Sequence, residues 1–162
     1  MKVEQFFKKS SEIINTAAEY FTVLFLASLT IIIFISVLSR YVFKFSILFS
    51  VEISRLLFIW ACFFAATVAY KRKMHIRFEF INRILGEKGV NITNLFVHFL
   101  TLIFFIFMFI KSIIYIEQIW ETYFPVMGIS QGWLYISEAI SLIVFICHNL
   151  VLLIESWNSF SK

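Results

Sequence analysis

The chain has 162 residues, of which 61% are apolar and 15% charged, with 22 Phe against four Gly and one Pro and a mean hydropathy of +0.91. Soluble domains run nearer about 45–50% apolar and about 25% charged, so an ordinary soluble enzyme, a disordered chain and a collagen-like repeat are all excluded. The net charge is +4; the ten acids are all Glu, so the Asp-rich clusters favoured by hard metals are missing.

A helix needs about 20 mostly apolar residues to cross about 30 Å of hydrocarbon. Tyr20 to Ser39 supplies twenty without a charge, preceded by Lys2, Lys8 and Lys9 but also by Glu4, Glu12 and Glu19, and with no A-x-A-like site following. It reads as an uncleaved signal anchor rather than a secretory leader. Only fifteen uncharged residues separate Arg55 from Lys71. The second span must therefore start near Phe49 and draw Glu52 and Arg55 into the interface. The expected fold is an all-α integral membrane protein, one domain over residues 1–162. Its four transmembrane helices lie at about 20–39, 49–70, 89–110 and 133–154, with amphipathic interfacial segments between them.

The connections set the orientation. The one after the second span carries Lys71, Arg72, Lys73, Arg77, Arg83 and Lys88, against Lys111 alone with Glu117 and Glu121 in the next. The positive-inside rule then puts both termini and the basic connection in the cytoplasm. Met74, Phe78, Ile81 and Leu85 fall on one helical stripe, opposite Arg72, Glu79 and Arg83, so residues 72–86 are expected to lie as a helix in the headgroup plane. The basic excess is thus directed at membrane lipid and not at nucleic acid. The first connection, Tyr41 to Ser50, is too apolar to be solvated and too short to span; a short interfacial or re-entrant segment is expected. Pro125 is expected to stop the third helix, and Gly128 and Gly132 to provide loop flexibility, since Ser130 and Gln131 stand between them and a dimer motif belongs inside an apolar span.

Few side chains propose chemistry. Glu52 and Arg55 share a helix face at a spacing of three, and a structural ion pair is preferred to an ion-carrying Glu52 because a lone charge in a span is costly. Glu138 has no cationic neighbour at i±3 or i±4 and must face water or find a partner on another helix. His98 and His148, single histidines in apolar runs, are suited to hydrogen bonds across helices. Cys62 and Cys147 read as small buried hydrophobes. No nucleophile–base pair, metal set or phosphate loop is apparent, so no enzymatic activity and no cofactor are expected. Ala61, Ala65 and Ala69 recur every four residues, a spacing that lets another helix approach closely.

An ordered run, Ser39-Arg40-Tyr41-Val42-Phe43, Glu52-Ile-Ser-Arg55, Phe58-Ile-Trp60, Phe64-Ala65-Ala66 and Lys71-Arg72-Lys73-Met74-His75-Ile76, resembles the small membrane (Q-type) subunit of tripartite ATP-independent periplasmic (TRAP) transporters. Ala65 stands where that family commonly has Gly, and Phe49 where it often has Trp. The resemblance implies a multi-pass protein of the bacterial inner membrane that braces a large, sodium-coupled elevator subunit. It implies uptake of an organic acid delivered by a periplasmic substrate-binding protein, with a sialic acid as the first cargo to consider and C4-dicarboxylates next. Substrate and ion sites would belong to the large subunit. Arg40, Glu52, Arg55, Trp60, Ala61, Ala65, Ala69 and His75 are then expected to serve structure or the partner interface. The competing reading is an autonomous homo-oligomeric carrier or channel with Glu138 lining its pore.

Overall fold

Long apolar runs with a single proline leave the backbone little choice but continuous helix, since inside a bilayer its polar groups must satisfy one another. The computed structural model describes the backbone of residues 2–160 and the side chains of 11–71, 92–154 and 156–157. It contains three helices: α1 (Lys2–Tyr41), α2 (Phe49–Ile119) and α3 (Gly132–Phe160). Four stretches in them are long and apolar enough to cross a membrane: Ser11–Tyr41, Phe49–Lys71, Ile92–Ile119 and Gly132–Ile154. The fourth is the most enclosed by the rest of the chain. Among the described residues the only β feature is an isolated bridge between Tyr123 and Ser130.

Two membrane-length stretches share α2. They cannot lie end to end. The Tyr70 and Phe105 rings meet at 5.6 Å, whereas a straight helix would hold them about 50 Å apart at 1.5 Å per residue. The helical chain therefore doubles back, and its two arms, Phe49–Lys71 and Ile92–Ile119, lie side by side. The amphipathic stripe expected over 72–86, with His75 on it, lies outside the described residues.

Aromatic rings join the segments. Phe21 and Phe25 of α1 pack against Trp60 and Phe64 of α2 at centroid distances of 5.6 to 6.0 Å. Tyr70 and Phe105, from the two arms of α2, close around Phe145 of α3 at 5.2 and 5.1 Å. Offset and edge-on geometries of this kind add about 0.5–1.5 kcal/mol per pair beyond area burial, which matters where lipid removes the usual hydrophobic drive between helices.

The loops on either side of α2 lie at the same end of the bundle, where Glu52 meets Val126 and Met127. Between α1 and α2 the chain makes a tight loop, closed by the Phe45 N–H donating to the Ser39 carbonyl (3.0 Å) and the Ser39 hydroxyl donating to the Phe45 carbonyl (2.9 Å). Lys44 adopts a left-handed φ of 54° within it, and Val42, Phe43, Phe45 and Leu48 are exposed. It turns over the bundle's end.

The second loop departs from expectation twice. The helix stops at Ile119, six residues before Pro125, because local groups compete for its last carbonyls: the Thr122 N–H takes that of Ile119 (2.9 Å) and the Ser130 hydroxyl that of Trp120 (2.7 Å). The glycines also hold fixed geometry where flexibility was expected. Gly128 sits at φ +66°, a conformation that costs other L-residues about 1–2 kcal/mol, and a Cβ on Gly132 would lie 2.6 Å from Cε3 of Trp120. Bonds from Phe124 N–H to the Ile129 carbonyl and from Gln131 N–H to the Thr122 carbonyl complete the loop over a buried Phe124 ring. Gly132→Ala is accordingly expected to displace the Trp120 indole and lower thermal stability by about 1–3 kcal/mol, the usual cost of overpacking. A changed Trp emission spectrum accompanying the lower melting temperature would report it; an unchanged spectrum and melt would contradict the tight approach.

Candidate functional site

Two polar constellations bind the segments together, one at each end of the bundle. At the looped end, Glu52 lies in the first turn of α2 and its carboxylate accepts the Val126 N–H (3.0 Å) and the Met127 N–H (2.7 Å). Two backbone donors converge on one ionised acceptor, the strong class of hydrogen bond. One turn pair further on, the Trp60 indole N–H donates to the Trp133 carbonyl at the start of α3 (2.9 Å). Glu52 and Trp60 thus tie the first arm of α2 to both the loop and the helix that follow the second arm.

The expected Glu52–Arg55 ion pair is not formed. Among the described residues no ion pair links them, Glu52 being turned to the loop amides while Arg55 is exposed. Helical spacing puts both side chains on one face, but two N–H groups at ideal range outcompete a mobile guanidinium that can stay hydrated at the interface.

The other constellation is buried. Asn149 is fully enclosed by the protein; its amide donates to the His98 backbone carbonyl (2.9 Å), while its side-chain oxygen receives the Tyr70 hydroxyl (3.3 Å) and lies 3.1 Å from His98 Nδ1. An amide oxygen only accepts, so Nδ1 of His98 carries the proton. One side chain on α3 thereby engages both arms of α2. Beside it, His148 Nδ1 lies 2.7 Å from the Ser11 hydroxyl of α1, and the Lys71 ammonium donates to the Ser11 carbonyl (3.1 Å). Both histidines do form the cross-helix bonds that their apolar surroundings suggest. Ser11, Tyr70 and Asn149, which complete the network, are ordinary residue types that no local spacing singles out.

The remaining expected residues are dispersed. Ala61 is 1% exposed and packed inside the chain's own bundle, so it is not available to a partner; Ala65 and Ala69 lie half-buried at the flank of that contact. The stripe of small residues is split because the buried face of this arm follows Ala61, Phe64 and Thr67, a spacing of three that turns one way round the helix while Ala65 and Ala69 turn the other. Arg40 is exposed at the end of α1. Glu138 is half-buried, with no hydrogen bond or ion pair to another described residue. Cys62 is exposed and Cys147 half-buried, neither fully enclosed as expected for a small core hydrophobe. Among the described residues no three His, Cys, Asp or Glu side chains gather as a metal site would require.

A bundle of four membrane-length segments, pinned to one another by its own polar side chains, defines a multi-pass membrane subunit. Residues 29–159 match the family of the DctQ component of tripartite ATP-independent periplasmic transporters. Two proteins of Haemophilus influenzae named as TRAP transporter small permease proteins are similar: one is 30% identical over 79% of this chain and 80% of its own length, the other 27% identical over 86% and 84%. A third, the sialic acid TRAP transporter permease protein SiaT of the same species, is 32% identical over 69% of this chain, which corresponds to 18% of SiaT. The chain belongs to the DctQ family and is a small permease subunit of a TRAP transporter, a transport component and a multi-pass membrane protein.

Proposed function

We propose that this subunit is a static brace for a large, sodium-coupled elevator subunit. The uptake it supports is of an organic acid, a sialic acid first and a C4-dicarboxylate otherwise, brought by a periplasmic substrate-binding protein. The observation that carries this reading is the engagement of the buried polar groups with one another: Asn149, His98, Tyr70, Ser11 and His148 hold helices together instead of offering a solute a continuous polar path. The SiaT match supports a large partner, since there a segment similar to this chain is one part of a much longer permease polypeptide. The name of that protein supports the choice of sialic acid as the first cargo to try.

The test is reconstitution. The chain extracted from its native membrane is expected to co-purify one-to-one with a larger membrane protein, and to give sodium-driven uptake of sialic acid only in vesicles that also contain that partner and the binding protein. Uptake by the subunit alone would overturn the brace and favour the autonomous carrier, with Glu138 the first residue to examine.

The partner-facing surface of the first arm of α2 is assigned to the flank bearing Ala65 and Ala69. Ala65→Leu adds three heavy atoms there and is expected to lower co-purification of the large subunit by about 1–3 kcal/mol of overpacking, with uptake falling in parallel. A wild-type yield of complex would remove this face from the interface.

The inner membrane is the proposed location, with both termini cytoplasmic, supported by six Lys and Arg residues in the connection after the second span against one in the next. A cysteine introduced at the exposed Glu121 is expected to react with an impermeant reagent applied to intact spheroplasts, and one at Asn82 only after lysis. Labelling of Asn82 from outside would reverse the topology.

A further inference from the structure

Between the end of α1 and the start of α2 lies a cleft of about 360 Å³ that nothing in the brace requires. Its walls mix polar and apolar side chains. Arg40 and Tyr41 stand at the rim, Ser36 and Ser50 face each other about one turn deeper, and Ser54 follows one turn beyond Ser50. Ile33, Val37 and Val51 flank these and are exposed on the bundle's outer surface. Arg40 closes the uncharged run Tyr20–Ser39, which fixes the rim at the edge of the hydrocarbon.

The hydrogen-bonding capacity of the cleft is only partly used. Ser50 donates to the Ile47 carbonyl (2.6 Å), so the 2.9 Å contact with Ser36 must be donated by Ser36. The Ser54 hydroxyl and the Arg40 guanidinium make no hydrogen bond or ion pair with another described residue. The nearby carboxylate, Glu52, is committed to the Val126 and Met127 amides and does not neutralise Arg40. Lys44 lies in the adjoining loop and adds a second positive charge at this end of the bundle.

We infer that this cleft binds one anionic phospholipid of the leaflet at the looped end of the bundle, with the phosphodiester on Arg40, the glycerol–ester region along Ser54, and the acyl chains over Ile33, Val37 and Val51. A planar guanidinium matches phosphate with two parallel donors. Basic pockets between membrane helices are suited to lipid headgroups, and the volume falls within the range of ligand sites. The exposed apolar walls beside the cation suit acyl chains, which a soluble anion would not need.

The test uses the full chain in the assembly it forms in its native membrane, transferred to nanodiscs of equal phosphatidylglycerol and phosphatidylcholine, with retained lipid measured by native mass spectrometry. The wild type is expected to retain phosphatidylglycerol preferentially. Arg40→Gln should reduce that preference about fivefold, the equivalent of about 1 kcal/mol per basic residue at the membrane surface, while Arg40→Lys should reduce it less. Ser54→Leu, which fills the cleft and leaves the charge in place, should also displace the lipid; its melting temperature verifies that the fold is kept. Equal retention of the two lipids by the wild type, or a preference surviving both Arg40→Gln and Ser54→Leu, would overturn the site. Displacement of the bound lipid by inorganic phosphate at millimolar concentration would show a free-anion site instead. A photoreactive group at Tyr41 that crosslinks to protein and not to lipid would assign the cleft to a polypeptide partner.

Discussion

Asn149→Leu is expected to be the most damaging single substitution in the subunit. The change keeps the number and branching of side-chain heavy atoms but deletes three bonds at once, to the His98 carbonyl, to His98 Nδ1 and from the Tyr70 hydroxyl. Side-chain hydrogen bonds between membrane helices average about 0.6 kcal/mol, so the expected loss is about 2 kcal/mol, or about thirtyfold in the folding equilibrium. Unfolding in mixed micelles of graded sodium dodecyl sulfate fraction would measure it. As a control, Ile143→Ala, at an exposed position on the same helix, should shift the midpoint little. A loss below about 0.5 kcal/mol for Asn149→Leu would mean that the aromatic packing of Tyr70, Phe105 and Phe145 alone holds these helices.

Glu52→Ala is expected to release the loop between α2 and α3. Hydrogen bonds to charged groups contribute about 1.5–3 kcal/mol, and two such bonds at a partly exposed site lose about 2 kcal/mol together when the carboxylate is removed. The readout is local: a cysteine placed at Met127 should be modified faster, and a protease should cut near Val126 sooner. Glu52→Gln keeps one acceptor oxygen and should fall between. Arg55→Ala should do little, and a double-mutant cycle should give a Glu52–Arg55 coupling near zero. A coupling above about 1 kcal/mol would restore the ion pair suggested by their spacing.

These residues also show what a sequence reveals and what it withholds. The membrane class and the four crossing segments were legible because a charge-free window of about twenty residues is a one-dimensional property. The resemblance carried by residues 39–76 pointed to the family that the match over 29–159 establishes. The histidines could be read as making cross-helix hydrogen bonds because a polar group in hydrocarbon must find something. Their partners could not be read: Asn149 is 51 positions from His98, and Ser11 is 137 from His148. Glu52 failed for the same reason in reverse, since a tempting neighbour three residues away concealed loop amides 74 and 75 positions distant. The signal within reach was the adjacency of His148 and Asn149, two polar residues side by side in an apolar run. Gly132 was equally opaque, because its role depends on the ring of Trp120, which reaches it only once the loop has closed.

The Asn149 junction has a consequence for how the subunit is made. A ribosome delivers Tyr70 and His98 to the membrane well before the residue that binds both of them, because Asn149 follows them by 79 and 51 positions. Until then the two arms of α2 lack the side chain that joins both of them. The order of synthesis therefore makes this junction a late cross-link, closed only after both arms have been inserted.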